Sequence, residues 1–295
     1  MAVGTPLPII VNRSGGTASA KGDALGDAIE QAFADAGQSI ALELVEGKDI
    51  AAAVERHRGA PRLVVGGGDG TLGSAAGILA ASGSELAVLP LGTRNHFARQ
   101  LGIPLDLAEA AKLAAQGRAT AVDLGEAGDR TFINNASLGA YAQLVRERER
   151  SALSKLPASI VAGWRVLRKL RPQSFDLEID GKPQRLRSAM LFIGNNLYEV
   201  LEGRPNERAA LDDGVLSLFA LAPLTRGGVV RAAMRVMLGR PDRARDFALV
   251  TTAREIRIEG LGETEIALDG ERLRLPLPLV LKARPRALKV VAPDA

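Results

Sequence analysis

One short run, Arg62-Leu-Val-Val-Gly-Gly-Gly-Asp-Gly-Thr-Leu-Gly73, limits the fold more than any other part of the chain. A branched apolar segment of strand character runs directly into three glycines, an aspartate, a fourth glycine and a threonine. A helical pattern then spans Leu72–Ala81. Glycines without Cβ let backbone amides approach a ligand, and the helix that follows turns its positive dipole end to the same place. Gly66, Gly67, Gly68, Asp69, Gly70 and Thr71 therefore form a candidate cradle for phosphate oxygens, with the Thr71 hydroxyl as a further donor or a cap.

The segments around it repeat the same alternation. Strands are expected at Leu7–Val11, Ile40–Val45, Arg62–Val65, Leu86–Leu89 and Ala121–Leu124, with helices at Asp23–Ala36, Asp49–His57, Leu72–Ala81 and Leu107–Ala115. Strands separated by helices predict a parallel sheet covered on both faces. A second polar loop, Leu89-Pro-Leu-Gly-Thr-Arg-Asn-His-Phe-Ala-Arg99, leaves the sheet at the end where the glycine loop does. Open α/β sheets bind ligands at that end. Gly92, Thr93 and Asn95 join the candidate nucleotide-binding residues for that reason.

Beyond Gly125 the pattern becomes β-rich. Strands are expected at Ser174–Asp180, Leu186–Ile193, Val215–Leu221, Ala248–Thr252, Glu255–Glu259, Thr264–Leu268, Leu279–Ala283 and Leu288–Val291, a spacing that suggests an antiparallel sandwich or open barrel. Helical stretches are expected at Leu153–Leu170 and Gly227–Leu238. The division is thus an α/β domain over residues 1–127 and a β-sandwich domain over 128–295, whose last strand is free to return to the first domain.

Competing site chemistries fall away on the same residues. Gly68, Gly70 and Gly73 match G-x-G-x-x-G, but a dinucleotide site wants an acid about 20 residues on, at the end of the next strand. Here that strand runs into Pro90-Leu-Gly92, with no carboxylate. No G-x-x-x-x-G-K-[ST] sequence occurs. The chain has no cysteine, which excludes disulfides, thiolate metal sites and cysteine catalysis. Aromatics make up 3% of residues and do not interleave with the basic ones, against a nucleic-acid partner. Neither a signal peptide nor an apolar run of spanning length is present, so a cytoplasmic protein is expected. The net charge of +4 combines an excess of three acids in residues 1–125 with an excess of seven bases in 126–295.

Gly67-Gly-Asp-Gly-Thr71 followed by Pro90-Leu-Gly-Thr-Arg-Asn-His-Phe-Ala-Arg99 resembles the diacylglycerol kinase catalytic-domain family, which includes bacterial lipid kinases and sphingosine and ceramide kinases. Val11-Asn-Arg-Ser-Gly15, Phe132-Ile-Asn-Asn-Ala-Ser-Leu-Gly139, Leu211-Asp-Asp-Gly-Val-Leu216 and Leu268-Asp-Gly-Glu271 resemble further motifs in the same order. The resemblance implies an NAD-kinase-like α/β domain, a β-sandwich domain, and ATP and lipid meeting in the cleft between them. It places Asn12, Gly67–Thr71 and Thr93 on ATP, and makes Glu271 the base that deprotonates the lipid hydroxyl. Asp213 and the carbonyls of Ala210 and Val215 would hold a structural Mg²⁺, while Asp69 and Asp123 would support the catalytic metal and its waters. Phosphoryl transfer needs little more than this set, being chiefly positioning and charge neutralisation.

Several positions depart from the family pattern. His96 stands where an aspartate is usual, Leu72-Gly73-Ser74 where x-Asn-Glu is common, Arg13 for a proline and Val45 for a threonine. A glycine-rich run after Asn195 is absent. These departures keep open a nucleotide-binding member of the superfamily that turns over slowly or not at all, beside kinases that phosphorylate another hydroxyl. For the lipid, two basic amphipathic stretches, Leu153–Arg171 and Arg226–Arg245, suit either packing on the sandwich or reversible contact with an anionic membrane. A homodimer is compatible with the sequence.

Overall fold

The computed structural model describes residues 5–14, 24–139, 172–198, 208, 210–221, 228 and 247–294. Two compact units divide the chain: Met1–Leu124 with Thr131–Ile133 and Arg284–Ala295, and Gly125–Arg130 with Asn134–Ala283. The expected helices at Leu153–Leu170 and Gly227–Leu238, and the two amphipathic stretches containing them, lie outside the described residues apart from Gly228.

In the first unit, β1 (Leu7–Asn12), β2 (Ile40–Val45), β3 (Arg62–Gly67) and β4 (Glu85–Pro90) form a parallel sheet in the order β2-β1-β3-β4. The connections are α1 (Ala24–Asp35), a 3-10 turn at Gly47–Asp49 leading into α2 (Ile50–Arg56), and α3 (Asp69–Ser82). After β4 come α4 (His96–Gln100) and α5 (Leu107–Gln116). Leu25, Ile29, Ala32 and Phe33 share one face of α1 at helical spacing and are buried. They pack with Ile9, Val11, Val64, Ala87 and Leu89 of the sheet and Ala110, Ala111 and Ala114 of α5. Ile10 and Val65 point to the opposite face and are equally buried. A sheet covered on both faces needs uninterrupted apolar strands, and β1, β3 and β4 supply them.

Two long strands contribute to both units: β5 (Arg118–Ala127), which pairs with the short β6 (Arg130–Phe132), and the last strand. In the second unit, β7 (Asn135–Gly139), β10 (Met190–Asn195), β11 (Leu216–Leu221), β12 (Phe247–Ala253), β14 (Glu263–Leu268) and β15 (Glu271–Pro276) form an antiparallel sheet ordered β12-β11-β10-β7-β14-β15. Ala136, Leu138, Leu191, Ile193, Leu216, Leu218, Ile266 and Leu268 recur at every second position and fill its buried face. A second antiparallel set joins β8 (Gln173–Ile179), β9 (Lys182–Ser188), β13 (Glu255–Ile258) and the start of β16 (Leu279–Ala292). This is the α/β-plus-β-sandwich architecture expected from the sequence.

Four expected elements are redrawn. The strand expected at Leu186–Ile193 is two, because Ser188 turns the chain at Ala189: its hydroxyl lies 2.7 Å from Met190 O and accepts Met190 N at 3.2 Å. The strands expected at Leu279–Ala283 and Leu288–Val291 are one. Between them Arg286 takes a left-handed conformation (φ 51°), and its amide donates to the Asp123 carboxylate at 2.7 Å. The helix expected from Leu72 starts at Asp69, so the glycine segment is the end of a strand and the first turn of a helix.

Candidate active site

Gly68 is the N-cap of α3 in extended conformation, and among the described residues no side chain caps that end. Since the first intrahelical bond is Leu72 N to Gly68 O, the amides of Asp69, Gly70 and Thr71 have no partner within the helix. Most of the glycines here have a packing reason. A methyl on Gly66 would stand 2.8 Å from Val11 Cγ2, one on Gly67 2.6 Å from Thr71 Cβ, and one on Gly92 2.4 Å from Gly68 Cα. The last distance brings the two polar loops into backbone contact. Gly70 differs: it is exposed, its φ is not left-handed, and among the described residues nothing lies within 4 Å of where its Cβ would be. Glycine inside a helix costs up to about 1 kcal/mol relative to alanine. Nothing in the fold requires that cost.

The polar side chains of the loops hold the loops themselves. Asp69 accepts the amides of His96 (3.1 Å) and Phe97 (2.9 Å), one on each carboxylate oxygen, and so caps α4 from outside. Asn95, buried and left-handed (φ 50°), donates to Pro90 O and Gly92 O and accepts Gly92 N. Asn12 donates to Thr71 Oγ1 at 3.0 Å and accepts Ser14 N at 3.0 Å. Ser14 also donates to Glu46, whose carboxylate receives Arg13 Nε at 2.7 Å. The Ser14 hydroxyl, and then the Arg13 guanidinium, hold the Glu46 carboxyl below its ordinary range. Thr93 is exposed at the loop tip. Asp123 is buried and engaged with Arg286 N.

In the second unit, Glu271 is exposed at the start of β15, just after the Asp269–Gly270 turn. Both turn residues have positive φ (48° and 90°), as a two-residue hairpin between Leu268 and Glu271 requires. Asp269 Oδ1 accepts Asn134 N (2.7 Å) and Asn135 N (3.0 Å), and Asp269 N donates to Asn135 O (2.8 Å). Asp213 is exposed before Gly214 (φ 70°), and Val215 O accepts Asn196 N at 2.9 Å. Asn196 is fully buried, yet neither side-chain Oδ1 nor Nδ2 has a partner among the described residues. A buried amide oxygen without a partner, on the residue whose amide bonds Val215 O, is of the ligand type that a hard cation takes. Glu46, Ser14, Asn196 and Arg208 were not among the residues expected from sequence. Only Ser14 carried a signal, as part of the Asn-x-Ser-Gly resemblance.

Comparison with known proteins agrees with the fold. Residues 6–127 match the diacylglycerol kinase catalytic domain, and residues 135–292 match the YegS C-terminal NAD kinase beta sandwich-like domain. The diacylglycerol kinase of Bacillus subtilis is 29% identical over 218 residues, covering 71% of this chain and 70% of that one. A Pseudomonas putida protein named "Probable lipid kinase YegS-like" is 33% identical over 241 residues, covering 80% and 78%. The crystal structure of a diacylglycerol kinase from Bacillus anthracis superposes with a TM-score of 0.68 at 22% identity, over 98% of this chain and 97% of that one, and so supports the fold. The chain belongs to the diacylglycerol kinase catalytic-domain family, with a YegS-type sandwich as its second domain, and it is a kinase.

Proposed function

We propose that this kinase transfers the γ-phosphoryl group of ATP to the hydroxyl of a lipid, diacylglycerol-like or sphingoid. The observation that carries the proposal is the first turn of α3, where three uncapped amides stand beside a helical glycine with open space in place of a Cβ. The amides of Asp69, Gly70 and Thr71 would bind phosphate oxygens, and Asn12 would keep Thr71 in place. Thr93 and the Gly92 backbone would add contacts from the second loop. Glu271 would accept the proton of the lipid hydroxyl as its oxygen bonds to the γ-phosphorus. The bond from that phosphorus to the β–γ bridging oxygen breaks, and ADP leaves.

When bound, Mg²⁺ neutralises charge on the phosphates. Asp69 has two of its roughly four acceptor positions taken by amides and would keep the rest for metal-bound water, with Asp123 in support. Asp213, Ala210 O and Val215 O would hold a second, structural ion. The test is a lipid-panel assay with radiolabelled ATP and Mg²⁺ on the wild type, Asp69→Ala and Glu271→Ala. Both variants should fold and lose phosphorylation. An active Glu271→Ala enzyme would remove that residue as the base, and a wild type that labels no lipid would remove the acceptor class.

A further inference from the structure

The second unit contains two hairpins built alike and supported differently. At Asp180–Gly181, as at Asp269–Gly270, both residues have positive φ, and the aspartate accepts two successive amides of a neighbouring segment. Asp180 Oδ1 takes Arg254 N at 3.0 Å and Glu255 N at 2.9 Å, and Asp180 N donates to Glu255 O. An aspartate used this way is therefore a structural device, independent of any chemistry. The difference lies behind the amides. Those bound by Asp180 belong to an exposed arginine and a half-buried glutamate. Those bound by Asp269 belong to Asn134 and Asn135, and Asn134 is held on its other sides as well.

Its carbonyl accepts Tyr198 Oη at 3.0 Å and Asn195 N at 2.9 Å, and its side-chain Oδ1 accepts Arg208 Nη2 at 3.2 Å. Arg208 also donates Nη1 to Asn195 O at 3.3 Å, and its guanidinium lies 5.8 Å from the centre of the Tyr198 ring. Arg208 is 9% exposed. Taking a guanidinium out of water costs several kcal/mol before any partner is counted, so a side-chain amide, a backbone carbonyl and a ring are a costly set to hold with one. A neutral donor could satisfy Asn134 Oδ1 more cheaply. What the planar, branched cation adds is rigidity: one group fixes Asn134, Asn195 and Tyr198 at once.

We infer that Arg208 is a positioning residue for Glu271. Its guanidinium locks Asn134, which presents its own amide and that of Asn135 to Asp269. Asp269 in turn fixes the hairpin whose next strand begins with Glu271. The inference rests on Glu271 being the base, and its test separates the two claims. Kinase assays on the full chain compare wild type, Arg208→Met, Arg208→Lys, Asp180→Ala and Glu271→Gln. A loosened base costs turnover and not ATP binding. Arg208→Met should thus lower kcat by about 10- to 100-fold with KM for ATP unchanged, the scale of a roughly 1 Å misplacement. Arg208→Lys should recover part of that loss, and Asp180→Ala should leave kcat alone. Hydrogen exchange in folded Arg208→Lys should accelerate at Asn134, Asn135 and Gly270 and stay unchanged at Gly181 and Glu255.

Wild-type kcat in Arg208→Met, with Glu271→Gln inactive, overturns the positioning role and leaves the base in place. Activity in Glu271→Gln overturns the base. If Arg208→Met does not fold, Arg208→Lys decides: unchanged kcat and unchanged exchange at the 268–271 hairpin refute the inference.

Discussion

The glycines of the two loops allow a test in which stability and binding move in opposite directions. Replace Gly70 by alanine. The residue is in the first turn of α3 with a non-positive φ, and the added methyl meets no described atom within 4 Å. Helix propensity and the narrower unfolded ensemble then favour the variant by up to about 1 kcal/mol. In a domain of this size that raises Tm by about 2–4 °C. If phosphate oxygens pass over Gly70, the same methyl occupies their approach, and affinity for ATP should fall at least about tenfold, about 1.4 kcal/mol. Gly92→Ala is the counterpart. Its methyl would stand 2.4 Å from Gly68 Cα and 2.7 Å from Asn95 Oδ1, and the first of these is backbone that no rotamer change can move. Overpacking of that kind costs about 1–3 kcal/mol, so Tm should fall. Thermal melts beside calorimetric titration with Mg²⁺·ATP decide it. A Gly70→Ala protein that is stabilised and binds ATP like the wild type would show that no ligand crosses that residue, and the proposed phosphate site would be lost.

Three further outcomes follow from individual contacts. Asp69→Ala strips α4 of its external cap and should cost about 1 kcal/mol in a urea melt, while Asp69→Asn, which keeps an acceptor, should cost less. Because Ser14 and Arg13 lower the Glu46 pKa, their link to Glu46 is at full strength above the ordinary carboxylate value of 4.5 and is lost as pH falls through the depressed one. Carbon-detected NMR should place the Glu46 midpoint below 4.5, and Ser14→Ala should move it upward. Asp123→Ala leaves the Arg286 amide in β16 without its acceptor and should destabilise the protein by about 1–3 kcal/mol in thermal melts, independently of nucleotide.

Legibility in the sequence followed periodicity. β1 and α1 were readable because Ile9, Ile10 and Val11, and the i, i+4, i+8 set Leu25, Ile29 and Phe33, carry their burial in their spacing. α4 was not, since its few residues span little more than a turn and its cap, Asp69, is contributed from 27 positions earlier. The corner at Ser188 and the left-handed Arg286 escaped because each is set by a side-chain bond to a backbone group, of Met190 and from Asp123 respectively, that apolar periodicity does not carry. The site divided the same way. Its glycine loop and the Asp-Gly-Glu hairpin were legible as local signatures, whereas Arg208 lies in an unpatterned stretch and has meaning only through Asn134, 74 residues away.

The way the loops of the first unit are tied bears on what would hold the proposed nucleotide there. The Ser14 hydroxyl donates to Glu46, the Ser14 amide donates to Asn12, and Asn12 donates to Thr71, so the ends of β2 and β1 are joined to the first turn of α3 through three side chains and one amide. Asp69 does the same between that turn and the loop after β4, a loop that Asn95 braces from within. Among the described residues Glu46, Ser14, Asn12 and Asp69 each bond another segment, whereas the amides of Asp69, Gly70 and Thr71 take no side-chain cap. Backbone donors have no rotamers to freeze on binding, so a site built from them loses little entropy when phosphate arrives. It also does not depend on the identity of the residue that supplies each amide. His96 stands where the family pattern has an aspartate. Its contribution in this structure is the amide it donates to Asp69, which any residue but proline would provide.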